Sequence, residues 1–217
     1  MPAEVVEAPG SADVAARPEL SGSSVPPRAA SAAPRRSPGV HSRGGNAMER
    51  TRAAVLDGAA RAVEKQGARR ATMGDIAVLA GIAKATLYNH FRAKEAVYAA
   101  AVEAGVRALA AECTLAARDD LAEALALAAE RIGGHPALRR VASDEPLALA
   151  ALVTPGNGTT WRLARDGVRA VLDASGRTSD PAAVEIVLRW LVSFVADGGA
   201  DVARQAGLIA AAIPPAE

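Results

Sequence analysis

Two Phe, two Trp and two Tyr are the whole aromatic complement of this 217-residue chain, although 50% of its residues are hydrophobic. A core of that size must be assembled from Ala, Leu, Val and Ile. Such side chains suit close-packed helices, whereas sheets favour aromatic and β-branched residues. The expected fold class is therefore all-α. Charged residues make up 23% of the chain, an ordinary share that excludes wholesale disorder. Cys113 is the single cysteine, which excludes an intramolecular disulfide and a cysteine zinc cluster and points to a reducing compartment. The longest clean apolar run, 147–153, is seven residues, against the roughly 18 of a membrane span. The N-terminus has no charged segment followed by an apolar one, so neither a signal peptide nor a membrane anchor is expected, and the expected location is cytoplasmic.

Residues 1–47 are rich in Pro, Ser, Gly and Ala and have no apolar periodicity. Pro26-Pro27, Pro34, Pro38 and Gly44-Gly45 read as helix and strand breakers, so this stretch is expected to be a disordered tail. From Ser21 onward its only charges are Arg28, Arg35, Arg36 and Arg43, an arm able to add weak phosphate contacts or to stay solvated without a role. Folded-looking sequence begins at Met48, an alternative start that would make the tail a gene-calling artefact. Beyond it the charge is uneven: residues 48–98 carry +4 and residues 99–217 carry −4. A basic head on an acidic body suits a polyanion-binding segment joined to one that avoids the polyanion, although +4 over fifty residues is modest.

From Met48 the pattern is helical throughout. Val55, Leu56, Ala59, Ala62 and Val63 recur at three- and four-residue spacing, and Gly67 stops that helix. Thr72 to Asp75 is a capping box opening a second helix, which buries Ile76, Leu79 and Ala80 and is broken by Gly81. A third, short helix over 83–90 buries Leu87, with Phe91 just beyond, and a long fourth spans 94–117. Helices are then expected at 119–132, 136–143, 146–153, 159–174, 181–196 and 201–213, with Thr159 or Thr160 and Asp201 as caps. There is no hairpin signal and no internal repeat.

A capped helix, a Gly turn and a short second helix make a helix-turn-helix, whose second helix enters the major groove of DNA. The solvent side of that second helix should show Ala83, Lys84, Thr86, Tyr88, Asn89 and His90. Lys84 offers a cation to phosphate or guanine, and the Thr86 and Tyr88 hydroxyls suit phosphate oxygens. Asn89 suits a base edge, while small Ala83 and Ala85 admit the backbone to the groove and can touch a thymine methyl.

The run AGIAKATLYNHFRAKEAVY resembles the DNA-binding domain of TetR-family transcriptional regulators. The likeness rests on Ala80-Gly81, on Thr86-Leu87-Tyr88-Asn89-His90-Phe91 and on Lys94-Glu95. Upstream, Val55-Leu56, Ala59-Ala60, Gly67, Thr72 and Ile76-Ala77 fall where that family has core and cap residues, so the match spans 52–98. Three departures stand out: Ala83-Lys84-Ala85 replaces a common Ser-x-Gly, Ala93 replaces a capping Ser or Asn, and Val63 stands where Phe is common. The resemblance implies that Thr72, Tyr88, His90 and Lys94 hold the phosphate backbone and that Ala83, Lys84, Ala85 and Asn89 read bases. It implies a DNA-binding domain over 48–93 and a helical effector-binding and dimerisation domain over 94–213. The implied partners are a palindromic double-stranded DNA operator, an unknown small-molecule effector and a second copy of the chain paired through the last two helices. Repression relieved by the effector is the implied mode.

The body itself says less. Val184, Val187, Leu188, Leu191, Val192 and Val195 crowd one helix with apolar surface, and Ala203, Leu208, Ala211 and Ala212 give the last helix a small-residue face. These suit either a dimer interface or burial within one subunit. An effector pocket would be lined by Leu, Val and Ala, with Trp161, Arg165 and His135 as the leading candidates and Arg139 and Arg162 behind them; Trp190 reads as interface or core. Cys113 reads as a small buried hydrophobe.

An enzyme is not expected. His41, His90 and His135 have no metal-ligand spacing, and there is no Gly-x-Ser-x-Gly elbow or phosphate loop. Gly156-Asn157-Gly158 lacks a preceding strand and a following Lys. No cofactor and no metal are therefore expected. The rival reading is a DNA-binding regulator or architectural protein without an effector, which the long acidic body disfavours.

Overall fold

The computed structural model describes residues 40–156, 158–196 and 199–216, and among them there are ten helices and no strand, an all-α fold. The helices are α1 (Val40–Gln66), α2 (Met73–Ala80), α3 (Lys84–His90), α4 (Lys94–Ala116), α5 (Leu121–Gly133), α6 (Pro136–Asp144), α7 (Pro146–Val153), α8 (Thr159–Ala174), α9 (Pro181–Ala196) and α10 (Val202–Ala212).

The order of these helices follows the sequence punctuation, with three differences. First, α1 starts at Val40 and runs through Gly44-Gly45, inside the segment whose composition reads as a tail. Residues 45–50 of this extension are exposed. It continues a helix already nucleated by its buried part, and propagation is far cheaper than nucleation. The arginines expected to form a basic arm, Arg28, Arg35 and Arg36, lie outside the described residues. Second, α8 is capped by Gly158 with no side-chain bond, because Thr159 and Thr160 are already helical. Third, Asp201 does precede α10, but at φ 56° its carboxylate makes no cap bond; capping side chains work from extended backbone.

Two apolar cores organise the chain. The first packs Val55, Ala59 and Ala62 of α1 against Met73, Ile76 and Ala77 of α2, with Leu87, Phe91 and Val97 closing it. The second joins Cys113 and Ala117 at the end of α4 to α5, α8, α9 and α10, with Leu125, Leu172, Val187, Leu188 and Phe194 at its centre. Burying each Leu, Ile or Phe is worth about 1.5–3 kcal/mol. The long α4 therefore belongs to both cores. Its contact with α8 is the most extensive between any two helices, and Gly167 makes it possible: a Cβ there would stand 2.7 Å from the Ala110 Cβ. Gly39–Glu217 forms one compact unit.

Four of the six residues expected to crowd α9 serve the chain's own core, while Val192 and Val195 are half-buried. Val184, Val187, Leu188 and Leu191 are buried, and Trp190 packs edge-on to Phe194 at 5.0 Å and donates to Gln205 Oε1 at 2.9 Å. The open face of the pair is carried instead by Ile186 on α9 and by Leu208, Ala211 and Ala212 on α10. Between them runs an apolar groove edged by Ala182, Ile186, Leu208 and Ala212. No helix among the described residues is long and apolar enough to cross a membrane.

Candidate nucleic-acid interface

The Thr72 hydroxyl accepts from the Asp75 amide at 3.2 Å, and the Asp75 carboxylate accepts from the Thr72 amide at 2.9 Å, so α2 starts on a complete capping box. The Thr72 hydroxyl also donates to Asp75 Oδ2 at 2.6 Å. Those bonds from Thr72 hold the Asp75 carboxyl below its usual range. Gly81 ends α2 at φ 68°, a left-handed turn that glycine enters without strain, and its amide returns to Ala77 and Val78.

The turn sets α3 on edge. Leu87, fully buried, and Phe91 anchor it, and the Arg52 guanidinium covers the Phe91 ring at 4.9 Å. With 3.6 residues per turn, that anchoring leaves Lys84, Ala85, Tyr88 and Asn89 exposed together, with Ala83 just before them, while Thr86 and His90 flank them half-buried. Lys84 Nζ lies 6.0 Å from the centre of the Tyr88 ring. Neither Ala83 before α3 nor Ala93 before α4 makes a side-chain cap bond, as their sequences imply.

Beside α3 lies a shallow groove lined by Arg69, Arg70, Ala71, Thr72, Met73, Gly74, Lys84, Tyr88 and Lys94. Four of these carry a positive charge and none a negative one. The groove thus brings together Thr72, Lys84, Tyr88 and Lys94 from the sequence-derived set, while Ala83, Ala85, Thr86, Asn89 and His90 lie outside its lining. Arg69 and Arg70 were not singled out from sequence. The available signal was two adjacent arginines just upstream of a helix cap in the basic part of the chain.

Lys94 sits in the groove wall with its ammonium turned inward. It donates to the Ala68, Arg69 and Ala71 carbonyls at 3.1, 2.8 and 3.3 Å, so all three N–H donors are engaged within the chain. The Tyr98 hydroxyl joins them on the Ala68 carbonyl at 3.2 Å. Burial, with Glu145, Glu95 and Asp75 nearby, pushes its pKa up to about 12, so it stays a donor.

The residues expected to line an effector pocket are divided. Arg165 lies over the Trp161 ring at 5.9 Å, donates to the Gly156 carbonyl at 3.1 Å and approaches Glu185 at 3.8 Å. His135 does something else. Exposed, it caps α6 by accepting from the Leu138 amide at 3.4 Å. Cys113 is buried, and burial pushes its thiol up to about 11.

A capped helix, a glycine turn and an exposed short helix beside a cationic groove define a helix-turn-helix DNA-binding transcriptional regulator. Known proteins agree with that class. Residues 55–101 match the family model for bacterial regulatory proteins of the tetR family. The match covers under a quarter of the chain and marks its helix-turn-helix segment as a DNA-binding domain of the tetR-family kind. Among solved structures it is similar to the TetR family repressor AlkX from Dietzia sp. strain DQ12-45-1b, at 22% identity over 73% of this chain and 90% of that one, with a TM-score of 0.58. It is also similar to the fatty acid degradation regulator FadR from Bacillus halodurans, at 15% identity over 74% and 92% of the two chains, with a TM-score of 0.54. At these identities the likeness is one of fold. No curated protein matches the chain.

Proposed function

We propose that the chain is a homodimeric repressor in the cytoplasm that reads a palindromic DNA operator and is released by a small-molecule effector. The observation that carries the DNA-binding part is the acid-free groove of four cations beside the open face of α3. Phosphate oxygens seat in the groove, taking bonds from the Tyr88 hydroxyl and the Arg69, Arg70 and Lys84 cations, while Thr72, whose hydroxyl proton is held by Asp75, lines the wall. Asn89, Lys84 and the small Ala83 and Ala85 then face base edges, with His90 at the rim. Lys94 contributes its charge and holds the groove wall, since its donors are engaged. Within this reading residues 48–93 are the DNA-binding domain and 94–213 the effector and dimer domain.

The dimer forms across the open face of α9 and α10, where Ile186 and Leu208 stand 58% and 64% exposed. A two-fold axis there gives two recognition helices about one DNA turn apart and so a palindromic site. The effector binds near the Trp161–Arg165 pair at the start of α8, the helix that α4 packs against most extensively. Selecting bound duplexes from a random pool tests the reading. Enrichment of inverted repeats is expected, whereas enrichment of single, asymmetric sites, or none, would overturn it.

A further inference from the structure

The loop between α1 and α2 carries Arg69 and Arg70 into the groove, and it is gripped from two sides. On one side Lys94 takes three of its carbonyls. On the other, Glu145 at the α6–α7 junction accepts from the Arg69 amide at 2.8 Å. That carboxylate reaches across 76 positions of sequence. It passes close to Gly67, whose φ is +81° and whose added Cβ would stand 3.0 Å from Glu145 Oε1, so a side chain there would push the carboxylate back by a few tenths of an ångström. A glycine satisfies both demands at once: the left-handed turn and the room for the carboxylate. Next to it, Asp144 takes Arg140 at 2.9 Å and lies 3.7 Å from Arg70.

We propose that Glu145 is a positioning residue for DNA binding, fixing the loop so that Arg69 and Arg70 face phosphate; this rests on the DNA-binding reading of the groove. The arrangement is a polarised clamp. An anion holds the loop's amide side and a cation its carbonyl side, each by a charge-assisted bond. The anion comes from the body, so α4 is not the only tie between the body and the groove. An acid this close to a DNA site should by charge alone weaken binding. Positioning through an accepted hydrogen bond works in the opposite direction, and the sign separates the two.

The test uses the full chain with Glu145→Ala and Glu145→Gln, and Gly67→Ala as a second way to loosen the clamp. Hydrogen exchange at the Arg69 amide is read without DNA. Binding to a fluorescein-labelled duplex of mixed sequence is read across a salt series. In Glu145→Ala, Arg69 exchange should speed up and duplex affinity should fall about tenfold, the scale of losing a hydrogen bond to a charged group; Gly67→Ala, which only displaces the carboxylate, should move both in the same direction by less. The salt dependence should become shallower as phosphate contacts are lost. Glu145→Gln keeps an acceptor oxygen in a weaker, neutral bond and should retain more of the protection, affinity and slope than Glu145→Ala. Tighter binding by both Glu145 variants would reduce Glu145 to a repelling charge and overturn the proposal. So would lost protection at Arg69 with unchanged binding, or unchanged protection in Glu145→Ala. A wild-type chain that leaves the duplex unbound would overturn the DNA-binding reading, and the proposal with it, even if the Arg69 amide proved protected.

Discussion

Single side chains at the groove divide into two kinds that experiments separate. Arg69, Lys84 and Tyr88 face a site suited to phosphate, which is the same for every sequence. Arg69→Ala should weaken binding to all duplexes alike and flatten the salt dependence by about one unit in log–log slope, measured by anisotropy between low and moderate salt. Asn89 stands on the open face of α3, away from the groove. Asn89→Ala should leave the salt slope alone and relax preference at one base position per half-site, at about 1–3 kcal/mol, read from competition between point-varied duplexes. The Thr72–Asp75 box adds a pH dependence. The folded chain holds the Asp75 carboxyl below its usual range through the bonds from Thr72. Its contribution is thus present above the unfolded carboxylate pKa and is lost as pH falls through the lower, folded value. The difference in melting temperature between the wild type and Asp75→Asn should accordingly shrink on acidification below the ordinary carboxylate range.

At the scale of helices, the angle at which α2 and α3 are presented depends on how closely α2 lies on α1. Gly58 sets that distance: a Cβ there would fall 2.7 Å from the Ala80 amide nitrogen and 2.9 Å from the Ile76 carbonyl oxygen. Both neighbours are backbone, so a side chain is accommodated only by moving the helix. Gly58→Val should cost about 1–3 kcal/mol by overpacking, lowering the melting temperature. It should also lower duplex affinity more than any change to an exposed α1 residue, because it displaces the whole motif. A surface residue such as Glu64 on the same helix is the control.

For the whole molecule, the two cores share α4, and the face left over by the second core is the one assigned to the partner copy. Ile186→Glu combined with Leu208→Glu places carboxylates on an apolar contact and removes nothing from the monomer's core, since both side chains point outward. Sedimentation should then show a monomer with helix content intact. Binding to a palindrome should fall towards that of a single half-site. A dimer surviving both substitutions would move the interface elsewhere.

Much of this fold is encoded in local patterns. Gly67, Gly81 and the Thr72–Asp75 box mark helix ends through backbone shape and bonds made within a few residues, and Pro136 and Pro146 mark helix starts through their fixed φ and missing N–H, so the helix order and the motif over 72–94 could be read along the chain. The same holds for the face of α3, which the buried Leu87 and Phe91 fix by helical periodicity. Contacts between distant segments left no such trace. Nothing near Lys94 signals that its ammonium closes on a loop some 25 residues away, nor near Glu145 that its carboxylate meets the Arg69 amide. The apolar pattern of α9 told that the helix is buried, but the partner that buries it is chosen by packing. Val187 and Leu188 went to the chain's own core, and Ile186, one position away, was left on the surface. Periodicity records which side of a helix avoids water; only the assembled helices decide what stands on that side.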